Sequence, residues 1–215
     1  DKIEPSLDSS MFYLTNAQDL AERLKDTLNL AKVYAAMSNV YYLKEEFKEA
    51  LKIHYQCENL LKNTGLKEIQ AINSYGKANN LMEIYNREEG AENLKGAYEA
   101  YQVALSLFQE LKLTQNEAHA RNALGACMLY MENFKGAENE VKSSIKLGAT
   151  LEDDEVLLNG YYTLTSIYEM QGNATDAVKS LEGLKSKLEK MGVLGDPTFL
   201  KEQFSNSDLT VSLAL

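Results

Sequence analysis

Apolar residues recur along most of this chain at helical spacing, three and four positions apart, and small residues punctuate them at a longer, regular interval. Ala50, Ala97, Ala137 and Ala177 lie 47, 40 and 40 residues apart. The first, third and fourth sit in copies of one pattern, Phe47-Lys-Glu-Ala50-Leu, Phe134-Lys-Gly-Ala137-Glu and Ala174-Thr-Asp-Ala177-Val. The second, Leu94-Lys-Gly-Ala97-Tyr-Glu-Ala-Tyr101-Gln-Val-Ala104, keeps small, aromatic and small residues at the same phase. Upstream of three of them stands a large–small pair followed by another large residue: Met37-Ser38 with Tyr41, Leu124-Gly125 with Met128, Leu164-Thr165 with Tyr168. Two antiparallel helices that cross closely need small residues at the crossing and large ones beside it. A fixed period of this size predicts an all-α array of stacked helix pairs.

The pattern predicts an irregular lead-in over 1–8 and an unpaired helix in a half repeat, 9–27. Four helix pairs follow, over 28–65, 66–113, 114–150 and 151–192. Asn63-Thr-Gly65 reads as a helix stop and Asp153 as an N-cap. The second repeat is seven residues longer than the others. The polar run Asn86-Arg-Glu-Glu-Gly-Ala-Glu-Asn93 is the expected place for that insertion, as a long turn between paired helices. Counting back from Ala97 puts Lys77-Ala78 in the large–small slots, a poor match. Within 193–215, Asp196-Pro197 can open a short capping helix carrying Phe199, Leu200 and Phe204. Alternating apolar residues from Leu209 to Leu215 then read as an extended segment.

These blocks resemble the tetratricopeptide repeat (TPR), in which each helix pair carries a large–small pair in its first helix and Ala, an aromatic and Ala in its second. The 40-residue period is similar to that of LGN/Pins-type polarity adaptors and of rapsyn. The resemblance implies a right-handed α-solenoid of antiparallel helix pairs. It also implies a non-enzymatic scaffold that binds a peptide or a helical segment of a partner in a concave groove lined by the first helices. A structural subunit of a larger assembly, or the peptide-sensing module of a bacterial regulator, are the other roles this family fills.

Helix periodicity then names the groove positions, six and three residues before the small residue and one and four after it. They are Lys32, Ala35, Asn39 and Tyr42; Ile72, Tyr75, Asn79 and Met82; His119, Asn122, Ala126 and Leu129; and Asn159, Tyr162, Ser166 and Glu169. Tyr and Asn combine contact area with adaptable hydrogen bonding. The arginine ladder of LGN-type grooves is absent at the first of these positions, which read Lys32, Ile72, His119 and Asn159. A neutral or amphipathic segment therefore fits better than an acidic peptide.

The formal net charge of −10 argues against nucleic acid and anionic membrane surfaces as partners. No apolar run approaches the roughly 20 residues of a membrane span. Cys57 and Cys127 fall within predicted helices and read as reduced core residues, in keeping with a cytoplasmic setting. No phosphate-binding loop, zinc spacing or nucleophile elbow occurs, so neither cofactor, metal nor catalytic residue is expected. His54, four residues after Ala50, reads as a packed imidazole rather than a ligand. The array ends and residues 209–215 are the expected self-association surfaces.

Overall fold

The computed structural model describes residues 6–193. The lead-in residues 1–5, the expected capping helix and the apolar tail lie outside the described residues. Among the described residues there are nine α-helices and no strand: α1 Leu7–Leu24, α2 Thr27–Leu43, α3 Phe47–Leu61, α4 Lys67–Glu88, α5 Ala91–Glu110, α6 Thr114–Tyr130, α7 Phe134–Leu151, α8 Asp154–Met170 and α9 Ala174–Met191. The protein is an all-α helical-repeat solenoid. It divides within α6 into two compact units, Asp1–Ala120 and Arg121–Leu215.

Leu7 and Asp8, expected in an irregular lead-in, form the first turn of α1 instead. Ser6 makes this possible by capping the helix, its Oγ accepting from the Ser9 N–H at 3.2 Å. Asp26, Asn133, Asp153 and Asn173 cap α2, α7, α8 and α9 in the same way. The C-terminal ends share a device of their own. A residue in left-handed conformation follows each helix, at Lys25, Glu45, Asn63, Glu89, Lys112, Glu132, Glu152, Gly172 and Gly192. Most of these are not glycine, so the usual sequence signal for a helix stop is missing there.

The crossings are as tight as the small residues demand. Ala50, Ala97 and Ala137 are fully buried, and so are Ser38 and Ala78. A Cβ added at Gly125 of α6 would lie 2.4 Å from Val141 Cγ2 and 3.1 Å from the Ala137 carbonyl of α7. Only a glycine lets these two helix backbones approach so closely.

The long turn expected at 86–93 does not exist. The turn between α4 and α5 is Glu89-Gly90, and the extra residues are helical. α4 has 22 residues and α5 has 20, whereas the other helices have 15 to 18. Seven residues are about two helical turns. One turn added to each of two antiparallel helices lengthens the pair without changing its phase. Ala78 and Ala97 thus stay buried at the crossing, although Lys77-Ala78 matches the large–small pattern poorly. Lys77 runs its stem outward and its ammonium meets Glu58 at 2.8 Å.

Candidate partner-binding face

In the first unit, the first helices α2 and α4 turn one phase outward together. Lys32, Asn39 and Ile72 are exposed, and Ala35, Tyr42, Tyr75 and Asn79 are half-buried. Lys32, Ala35 and Ile72 line one open cavity of about 610 Å³, room enough for a small ligand or several side chains. Leu28 from α2, Leu66 and Ile69 from the start of α4, and Leu111 just past α5 complete its wall. Leu28 and Ile72 leave 41% and 43% of their surface in solvent. The walls are mainly aliphatic, with charge at the rim. There Lys67 pairs with Glu110, while Lys32 makes no ion pair among the described residues.

First-helix phase could not have found Leu66 or Leu111, because they belong to turns. Leu28 and Ile69 lie one turn nearer the helix starts than the positions counted from the small residue. The signal that could have found all four is an apolar residue at a helix end, where burial by the partner helix has stopped.

The rest of this phase is tied up more than sequence implies. The Tyr42 hydroxyl donates to Glu83 Oε1 at 3.3 Å, and its ring meets the Phe47 edge at 5.2 Å between centroids. Burial, then the Glu83 carboxylate, push the Tyr42 hydroxyl up to about 12. It is therefore a neutral donor at any physiological pH. Asn79 accepts from the Tyr101 hydroxyl at 2.7 Å, which leaves its amide N–H groups as the donors of that side chain. The Tyr75 ring lies tilted against Tyr101 and edge-on to Phe108. Met82, expected in the groove, is only 9% exposed and belongs to the core. His119 is half-buried.

In the second unit, Asn122, Ala126, Asn159, Tyr162 and Ser166 are half-buried and Glu169 is exposed. Leu129, also expected in the groove, is 6% exposed and is a core residue. Glu169, at the same position of the next repeat, is exposed, so neighbouring packing rather than helical phase closes Leu129. The Ser166 hydroxyl is spent on the Tyr162 carbonyl at 3.3 Å. The Asn122 carbonyl oxygen is buried with no hydrogen-bond partner among the described residues.

Among the described residues, no group of three or more His, Cys, Asp or Glu could hold a metal ion. His54 is buried in a hydrogen-bonded setting. Its Nδ1–H donates to Asn73 Oδ1 at 2.9 Å, and its Nε2 accepts from Asn80 Nδ2 at 3.1 Å. The tautomer follows because the Asn73 amide N–H is already donated to the His54 carbonyl at 3.1 Å. Burial holds the imidazole below its ordinary pKa, with the nearby Lys77 charge adding to the effect. Cys57 and Cys127 are buried thiols outside any disulfide, pushed up by burial to about 11 and about 12, too high for a reactive thiolate at neutral pH. No described helix is long and apolar enough to cross a membrane.

Stacked helix pairs with an open face on their first helices define the class: this chain has the fold of TPR-like repeat proteins. Three solved structures show the likeness. The apo form of RapI matches with a TM-score of 0.78 at 16% identity, over 97% of this chain and 74% of that one. BtubC (BKLC) from P. vanneervenii matches with a TM-score of 0.72 at 16% identity, over 98% and 85%. The nearly identical TPR-like repeats of a kinesin light chain from Podosopora anserina match with a TM-score of 0.66 at 13% identity, over 86% and 89%. No family model and no curated protein matches the sequence.

Proposed function

We propose that this protein is a non-enzymatic interaction scaffold that binds a peptide or helical segment of a partner protein on its first helices. Four repeats, 28–65, 66–113, 114–150 and 151–192, follow a half repeat at 9–27 in this reading. The observation that carries it is the coincidence of Lys32, Ala35 and Ile72, positions of one helical phase, with an open aliphatic cavity of 610 Å³. Aliphatic walls take apolar side chains, and Lys32 favours a carboxylate beside them. The donors of Asn79 and the Tyr42 ring extend the contact along α2 and α4. The ligand is an amphipathic, mostly neutral segment with one acidic residue opposite Lys32. The fold of its structural neighbours supports a scaffold role.

The test is selection of peptide ligands from a displayed library, followed by binding measurements on variants. Ile72→Glu should weaken binding at least tenfold, and Lys32→Glu should invert the preference for an acidic residue. Lys52→Glu, on the exposed outer side of α3, should leave binding unchanged. Peptides whose affinity survives Ile72→Glu and is lost in Lys52→Glu would overturn the reading.

A further inference from the structure

We infer that two copies of this chain associate through α1, packed antiparallel about a two-fold axis, each copy filling the groove between α1 and α2 of the other. This surface adjoins the α2–α4 cavity and shares only Lys32 with it.

The array itself shows what such a groove accepts. One repeat further on, the groove between α3 and α4 is filled by α2. Leu60 of α3 and Ile69 of α4 pack there against the core cluster that holds Leu30, Ala31 and Tyr34 of α2. Forty residues earlier, Leu20 occupies the place of Leu60, and it is 57% exposed. A cavity of 360 Å³ lies beside it, walled by Leu14, Ala17, Leu24, Val33 and Ala36, with Asp26, Asn29 and Lys32 also lining it. The interface that α2 makes with α3 and α4 thus continues one step toward the N-terminus, as an open slot of helical width.

The outer side of α1 supplies a helix to fill it. At 100° per residue, Phe12, Tyr13, Asn16, Leu20 and Leu24 share an arc of about 120°. Phe12, Tyr13 and Leu24 are 63%, 69% and 67% exposed. With Leu20 they offer on the order of 600 Å² of largely apolar surface. The intervening Ser9, Asn16 and Arg23 bring this to the roughly 800 Å² per partner of a stable interface. The charge pattern selects a second copy as the occupant. A chain of net charge −10 repels its own kind over most of its surface. This arc carries no acidic residue, and its one charged residue is Arg23.

The arc is also self-complementary. Its aromatic end, Phe12 and Tyr13, and its aliphatic end, Leu20 and Leu24, lie on either side of residue 18. A two-fold axis there sets Phe12 against the Leu24 of the other copy and the Tyr13 ring against its Arg23, a cation–π pair.

Sedimentation velocity of the 215-residue chain over a wide concentration range is the test. A reversible dimer is expected, and Leu20→Glu with Leu24→Glu should weaken it at least tenfold while circular dichroism and melting temperature hold. Tyr13→Lys, a single exposed change, should weaken it as well. For the register, Phe12→Cys and Leu24→Cys chains mixed under mild oxidation should form the mixed disulfide in excess over either homodimer. A chain that stays monomeric throughout overturns the inference. So does a dimer that survives both variants, or one abolished by truncation after Val193 but indifferent to Leu20→Glu.

Discussion

The α3–α4 seam of the first unit and the α7–α8 seam of the second occupy the same place in the repeat and are built from opposite chemistry. With an offset of 87 residues, His54, Asn73 and Asn80 correspond to Val141, Gly160 and Ile167. In the first unit these residues form a buried polar network, with His54 donating to Asn73 and accepting from Asn80. In the second, Val141 and Ile167 are fully buried, and a Cβ at Gly160 would lie 2.5 Å from Ile145 Cγ1. One backbone arrangement therefore tolerates either filling. The polar seam is the more demanding, because each buried donor and acceptor needs its partner in place. It tolerates little crowding: a Cβ at Gly76 would sit 2.7 Å from His54 Cε1. Even so, Asn80 Oδ1 remains buried without a partner among the described residues.

The largest effect should come from breaking the polar seam at one point. Asn73→Ala strips the partner from both the ring N–H and the carbonyl of His54, and should cost about 2–4 kcal/mol. Amide exchange should quicken in α3 and α4 and stay unchanged in α7 and α8. Equal slowing or quickening in both units would mean that the network does not hold the seam. Replacing all three residues with apolar ones, as His54→Leu with Asn73→Ala and Asn80→Leu, should cost less than Asn73→Ala alone, since no buried polar side chain is then left without its partner. Urea unfolding of the two variants side by side decides this.

Overpacking the apolar counterpart should come next. Ala137→Leu forces side chain into the α6–α7 crossing and should cost about 1–3 kcal/mol, read from the urea midpoint.

The polar seam should respond to acid. His54 has a folded-state pKa below its unfolded value. Between the two values the unfolded chain holds a proton that the folded chain does not. The stability it contributes is complete above the ordinary imidazole pKa of about 6.5, and is lost as pH falls toward the folded pKa. A protonated ring would also set Nε2–H against the Asn80 amide N–H. Melting curves from pH 7 to pH 5 should show a loss that the triple apolar variant lacks. Parallel curves for the two proteins would remove His54 as the cause.

The smallest effect is expected at a turn. Glu132 adopts φ 58° where the next repeat has Gly172 at φ 69°. Glu132→Gly relieves the left-handed side chain but frees the unfolded chain, so stability should move by no more than roughly 0.5 kcal/mol. A larger shift in the melting temperature would reveal a structural role for the Glu132 side chain.

The repeat architecture was legible in the sequence because small residues at a helix crossing recur with the period of the fold. Ala50, Ala97 and Ala137 announce close contacts without reference to what lies across from them. The first-helix phase was legible for the same reason, and it leads to Lys32, Ala35 and Ile72. The long turn at 86–93 misread polarity as irregularity. A polar run is also what two exposed helix ends look like, and only the pairing of α4 with α5 shows that the insertion adds a turn to each.

Met82 and Leu129 show the limit of phase counting, since a helix position is open or closed according to what packs over it, and that neighbour is remote in sequence. The His54 network was beyond reach for the same reason. A histidine four residues after an alanine predicts a packed ring, but its tautomer and depressed pKa depend on Asn73 and Asn80 of α4, 19 and 26 residues away. What the sequence by itself determined was the period, the helices and their small-residue crossings, all local in origin. Tertiary structure alone decided which polar groups meet, which groove positions stay open, and where an apolar helix face is left uncovered, because each depends on the helix that lies across it.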